Sequence, residues 1–198
     1  EQEQSTEATV KEVIRRLRSY QTVDGSFSYW PGGTAPNAWG TVYAIHFLLE
    51  AEKKGYLVPE GMKRNALNDL SRIARNWKPE ASYSAESEEM TQAYRLFVLA
   101  LGQVAEVGAM NRLKESKTLM SMSRYLLAAG YALVGRPDVS KELVVKTTAL
   151  TTACSGYDQT FGSDLRDASI RLMTLCLLDG GKEAALLAKY PRRSHPTI

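Results

Sequence analysis

Few side chains in this sequence are of the kinds that carry covalent or acid–base chemistry. It holds two cysteines, Cys154 and Cys176, and two histidines, His46 and His195. A thiol becomes a nucleophile when a neighbouring base or positive charge lowers its pKa. Both cysteines fall near apolar segments, and buried free thiols are the reading those surroundings favour. His46 stands three residues from both Tyr43 and Leu49 on an apolar helix face, the place of a core imidazole rather than a general base. His195 lies in a basic tail and is given no role. The acidic candidates are Asp24, Asp158, Asp164 and Asp167. Asp24 belongs to a turn, and Asp164 and Asp167 open a helix, where a carboxylate favours the dipole. Capping therefore accounts for them better than catalysis. So sparse a set of histidines and cysteines makes no metal-ligand pattern, and no cofactor is expected. Carboxylates paired across helices, as glycosidases use them, are invisible in a linear sequence.

The strongest local signal is structural. From Gln21 to Gly33 the chain carries Asp24-Gly25, a turn pair, then Phe27, Tyr29, Trp30, Pro31, Gly32 and Gly33. No helix runs through such a stretch. Its three aromatic residues are too much surface for a bare loop, which predicts a tight loop pinned on neighbouring helices with Phe27 and Trp30 pointing inward. The Gln21 amide and the Asp24 carboxylate are the groups expected to hold the turn. A buried Trp30 ring would make Trp30→Ala cost roughly 3 to 5 kcal/mol.

The 198 residues suffice for one domain with a sizeable core, and the formal charge of +3 gives no support to a nucleic-acid or membrane-surface role. Basic residues on the third helix are interrupted by Glu60, Asp69 and Glu80, the pattern of a solvated face. No apolar run approaches the roughly 20 residues of a membrane span, and Glu1-Gln2-Glu3-Gln4 is no signal peptide. The chain is then either cytosolic or cut from a longer secreted one.

Helices must position all of this. Val10, Val13, Ile14 and Leu17 recur three and four apart and predict an amphipathic helix over Thr6 to Ser19. Asn37 is a good cap for a second helix running to about Lys54, with Trp39, Val42, Tyr43, His46 and Leu49 along it. A third is expected from Pro59 to Trp77, a fourth from Glu88 to Glu106, and a short fifth over Ala109 to Ser116. A sixth ends before Gly135, and Asp138 caps a seventh. A second aromatic loop over Tyr157 to Gly162 precedes an eighth helix opened by Ser163 or Asp164, and Lys182 to Tyr190 suggests a ninth. No stretch alternates with period two. The fold class is all-α, an array of antiparallel helical hairpins that either close into a toroid or stack in an open solenoid, the latter weakened because no exact repeat is visible.

Gln21, Asp24, Gly25, Phe27 and Trp30 resemble the glutamine-to-tryptophan repeat of α/α-toroid proteins, among them terpenoid cyclases and the thioester domains of the α2-macroglobulin and complement family. Trp30-Pro31-Gly32-Gly33, Ala35-Pro36, Trp39, Thr41 and Tyr43 resemble the bacterial α2-macroglobulins in particular. That resemblance implies a terpenoid cyclase-like toroid, incomplete here, with residues 1–198 forming one helical domain of a larger protein. Members that form a thioester do so in a Cys-x-Glu-Gln motif. Cys154 is followed at plus three by Tyr157 and Cys176 by Asp179, so the motif is expected upstream of Glu1. The histidine that some members place between the third and fourth helices is missing from Ala74 to Met90. The resemblance implies a non-enzymatic scaffold within a periplasmic or secreted protease trap, often lipid-anchored. Its partners would be neighbouring domains and, in the intact protein, target proteases. A helical interaction domain without an inhibitor role and a toroid enzyme of cyclase or glycosidase type are the alternative readings.

Overall fold

The computed structural model describes residues 2–79, 85–116, 119–145, 147 and 162–179. Among these, eight α-helices form: α1 Gln2–Leu17, α2 Ala38–Lys53, α3 Glu60–Asn76, α4 Ala85–Leu101, α5 Val107–Lys114, α6 Ser121–Leu133, α7 Pro137–Val145 and α8 Asp164–Asp179. No strand is present among the described residues, and only two isolated bridges, Gln21 with Phe27 and Ser28 with Pro36, depart from the all-α pattern. The expected ninth helix, Cys154, Asp158, His195 and nearly all of the second aromatic loop lie outside the described residues.

The helix ends follow local chemistry. The Asn37 side chain accepts the Gly40 amide at 2.6 Å and starts α2. Gly55, with φ of +89°, ends the turn after it. Helix α4 stops earlier than its apolar stripe suggests, because Gly102 and Gln103 break it, the latter left-handed with φ of +62°. Helix α7 begins at Pro137, whose fixed φ suits a first helical position, and Asp138 pairs outward with Arg136.

The packing alternates. Even-numbered helices form a row, α2 against α4, α4 against α6 and α6 against α8, while α1, α3, α5 and α7 flank it. The α4–α6 seam is the most extensive. There Gly130 brings α6 close to the Phe97 backbone, and the buried Ala128 and Ala129 keep the seam narrow. Helix α4 is enclosed: every residue from Glu89 to Ala100 is buried, polar ones included. An α-helix buried all round must satisfy its polar groups internally. Gln92 donates to Ala74 O at 3.1 Å, and Glu89 accepts the Met120 amide at 2.8 Å, serving the N-terminus of α6 from outside it.

Burial pushes the Glu89 carboxyl above its ordinary value, against the opposing pull of the Met120 amide. A carboxyl raised in the folded state binds protons that the unfolded chain has released, so its stabilising contribution is full below the unfolded value and fades as pH rises through the folded one. Glu89→Gln keeps an oxygen for Met120 and removes the charge. Thermal midpoints measured upward from about pH 4.5 should fall less steeply in this variant than in the parent.

Candidate functional site

The loop from Tyr20 to Asn37 closes on its own backbone. Thr22 N donates to Ser26 O at 2.8 Å, Ser28 N to Tyr20 O at 2.8 Å, Gly32 N to Ser19 O at 2.6 Å and Asn37 N to Phe27 O at 2.8 Å. Gln21 Nε2 donates to Gly25 O at 3.1 Å and to Met62 O of α3 at 2.9 Å, tying the turn to that helix. Gly25 makes the docking possible. Its φ is +105°, and a Cβ there would sit 2.7 Å from the Asn65 carbonyl carbon and overlap its oxygen. Phe27 is buried in the core, and its amide is held by Thr41 Oγ1 at 2.9 Å.

Two expectations for this loop are corrected. Trp30 is 71% exposed and lies edge-on to Tyr29, itself exposed, with ring centroids 5.0 Å apart. Its carbonyl faces the loop, accepting Ser28 Oγ at 2.6 Å and Gly33 N at 3.1 Å, and this turns the indole outward. Asp24 is exposed as well, and the acid that holds the loop is Asp69 on α3. Asp69 is 5% exposed, accepts Ser26 Oγ at 2.5 Å and pairs with Arg72. A buried carboxylate gains more from a hydroxyl and a guanidinium than an exposed one gains from a turn amide.

Trp39 opens a second feature. With Tyr43 and His46 of α2 and Tyr94 of α4 it lines a cavity of about 570 Å³, closed from the other side by Arg166, Ile170 and Met173 of α8. The Trp39 and Tyr94 rings lie 5.0 Å apart, and the Arg166 guanidinium sits over Trp39 at 5.9 Å, oriented by Asp167 at 2.8 Å. Helices α2 and α8 do not otherwise pack on each other; they meet across this cavity, through Arg166 and Trp39. His46 Nδ1 lies 2.8 Å from the Tyr94 hydroxyl, and its ring stands edge-on to Tyr94 and Phe97. Burial lowers the His46 pKa and, more strongly, raises that of Tyr94, so both stay neutral at pH 7. The arrangement suits an apolar contact, not proton transfer.

The other candidates are dispersed. Cys176 is exposed on α8, whereas a buried thiol was expected. Asp164 is exposed in the first turn of α8, where the Ser163 hydroxyl accepts the Arg166 amide at 3.1 Å. Among the described residues no cluster of three His, Cys, Asp or Glu side chains could hold a metal ion, and no helix is long and apolar enough to cross a membrane. The buried polar residues Asp69, Glu89, Gln92 and Arg95 were not anticipated. The only hint is their place in or near an apolar run, which periodicity alone assigns to an outer face.

No family model matches the chain. It is 28% identical over 176 residues to an alpha-2-macroglobulin of Escherichia coli strain K12, a match covering 85% of this chain and 11% of that protein. It superimposes on native Escherichia coli alpha-2-macroglobulin spanning domain MG7 to the C-terminus with a TM-score of 0.73 at 25% identity, covering 91% of this chain and 30% of that one. On Salmonella alpha-2-macroglobulin reacted with methylamine the TM-score is 0.69 at 25% identity, covering 87% of this chain and 12% of that one. The chain thus spans about a tenth of the length of the curated relative it matches.

The loop geometry predicts opposite outcomes for two residues of one motif. Gly25→Ala should lose at least about 2 kcal/mol, from the left-handed φ and the overlap with Asn65. Trp30→Ala should stay within about 1 kcal/mol of the parent, as exposed substitutions do. Urea denaturation of both variants checks this.

Proposed function

We propose that this chain, whose homologues are bacterial alpha-2-macroglobulins, is a scaffold portion of the thioester domain of such a protein and has no catalytic activity of its own. On this reading residues 1–198 are one helical unit within an α/α toroid. The parent is a periplasmic or secreted protease trap, of a kind often anchored by lipid; the partners of this unit are its neighbouring domains and, in the intact protein, target proteases.

The observation that carries the reading is that Arg166 of α8 reaches Trp39 of α2 across a shared cavity, as it would if the even-numbered row curled back toward its start. A row of hairpins that curls in this way is what a toroid requires, and a straight stack of repeats would hold its ends apart. Similarity to a piece of the Escherichia coli protein running from MG7 to the C-terminus adds support, as does the likeness to a Salmonella homologue reacted with methylamine. A thioester is an activated acyl group that a small amine opens. The loop motif of Gln21, Gly25 and Phe27, with Trp39 beyond it, serves as the brace that seats α1 and α2 on α3. Asp24 and Trp30 of the same motif remain on its surface.

The test is the intact mass of the parent protein before and after methylamine. A mass gain that disappears when the cysteine of the parent's Cys-x-Glu-Gln motif is replaced supports the reading. A parent that gains no mass, and that fails to hold a protease after cleavage, overturns it.

A further inference from the structure

Four helices wall the cavity beside α8, and most of its lining is apolar or aromatic. Trp39 and Tyr43 of α2, Leu126 of α6, and Ile170 and Met173 of α8 surround a volume of about 570 Å³. Cavities of roughly 300 to 1,000 Å³ with apolar walls and a few placed polar groups are where proteins hold small molecules. The polar side chains here are few, and two of them are already engaged. Ser169 turns its hydroxyl back to Leu165 O at 2.7 Å, and Asp167 holds Arg166 at 2.8 Å.

His46 of α2 and Tyr94 of α4 differ from these. They line the same cavity, with Nδ1 2.8 Å from the phenolic oxygen, and burial keeps both neutral. A neutral imidazole and a phenol carry one polar hydrogen each, and the bond between them uses one of the two. If Tyr94 donates to Nδ1, the Nε2 hydrogen is left; if Nδ1 donates to the phenol, the phenolic hydrogen is left. In either tautomer the pair keeps one spare donor, and a donor in so apolar a setting gains from an acceptor. Tyr94 is only 8% exposed, and His46 is half-buried. Trp39 also borders a second cavity, of about 440 Å³, but the charged Glu88 and Arg95 line that one.

We propose that the cavity beside α8 binds a small neutral molecule with an aromatic body and one carbonyl oxygen. The ring packs against Trp39 and the Met173 thioether, contacts that aromatic and sulfur groups both favour, and the oxygen accepts the spare hydrogen of the His46–Tyr94 pair. The same wall disfavours an ion. No carboxylate lines it to meet a cation, and its one guanidinium already has Asp167. A charge brought here loses its water without gaining a partner. The rival occupant is a side chain from elsewhere in the parent protein. Neither occupant requires a thioester.

Calorimetric titration of the 198-residue chain with acetophenone, toluene, benzoate and benzylamine at neutral pH tests this. Acetophenone should saturate a single site, with benzoate and benzylamine at least about tenfold weaker. Met173→Trp fills the cavity and should abolish saturation. Because an overfilled core can fail to fold, a second variant combines His46→Leu with Tyr94→Phe, removing both polar partners together so that no orphan group remains. It should weaken acetophenone about fivefold and leave toluene within about twofold. Saturation by acetophenone in the parent protein as well supports the site. Saturation of the chain but not of the parent shows that another segment of the parent fills the cavity, and overturns the proposal. So does a failure of acetophenone to saturate, an ion binding as tightly, unchanged binding in a folded Met173→Trp variant, or a double variant that weakens toluene equally.

Discussion

Enclosure of α4 is the constraint on which the rest of the structure depends. Once a helix is covered on every side, each polar group it carries must be answered by something packed against it. Glu89 is answered by the amide that begins the approach to α6, and Gln92 by the carbonyl of Ala74 near the end of α3. These bonds fix where the neighbouring helices start and stop, which apolar contact by itself leaves loose. The seam with α6 adds shape: a Cβ at Gly130 would press on Met110 Cε at 3.2 Å and come into contact with the Phe97 backbone. Arg95 alone among these groups keeps an unanswered hydrogen.

Trp39 stands where two kinds of surface meet. It borders the apolar cavity shared with α8 and also the cavity that holds Arg95. The two are therefore adjacent rather than independent, separated by one indole at the first turn of α2. Arg166 sits over that ring, and Arg95 lines the second cavity that the ring borders. A change in how α8 sits on α2 would be felt on both sides of the same ring.

Periodicity made the helices legible. The expected extents of α2 and α3 lie within a residue of those observed, whereas α1 begins four residues before the expected Thr6, and Asn37 marks the start of α2 as a cap residue should. The all-α class follows from the same signal. Periodicity failed where burial is not one-sided. In α4 the polar Glu89, Gln92 and Arg95 are buried with the apolar residues, and sequence gives no sign that α3 and α6 cover them. The loop shows the complementary failure. Gln21, Gly25 and Phe27 were readable from turn chemistry and hydrophobicity, but the direction of Trp30 is set by where its own carbonyl bonds, and residue type carries no trace of that. Asp69 escaped notice because its partner, Ser26, lies 43 residues away.

The loop meets α3 through main-chain atoms. Gly25 rests on the peptide of Asn65, and Gln21 bonds the carbonyl of Met62. Every residue type presents the same peptide, so the joint places little demand on which side chains α3 displays outward there. Asn65 and its exposed neighbours are free to drift while the brace persists, with Asp69 the one side chain of α3 that the loop recognises chemically. Such a joint lets lineages re-tailor the outer skin of a domain, and whatever it touches, without renegotiating the fold beneath.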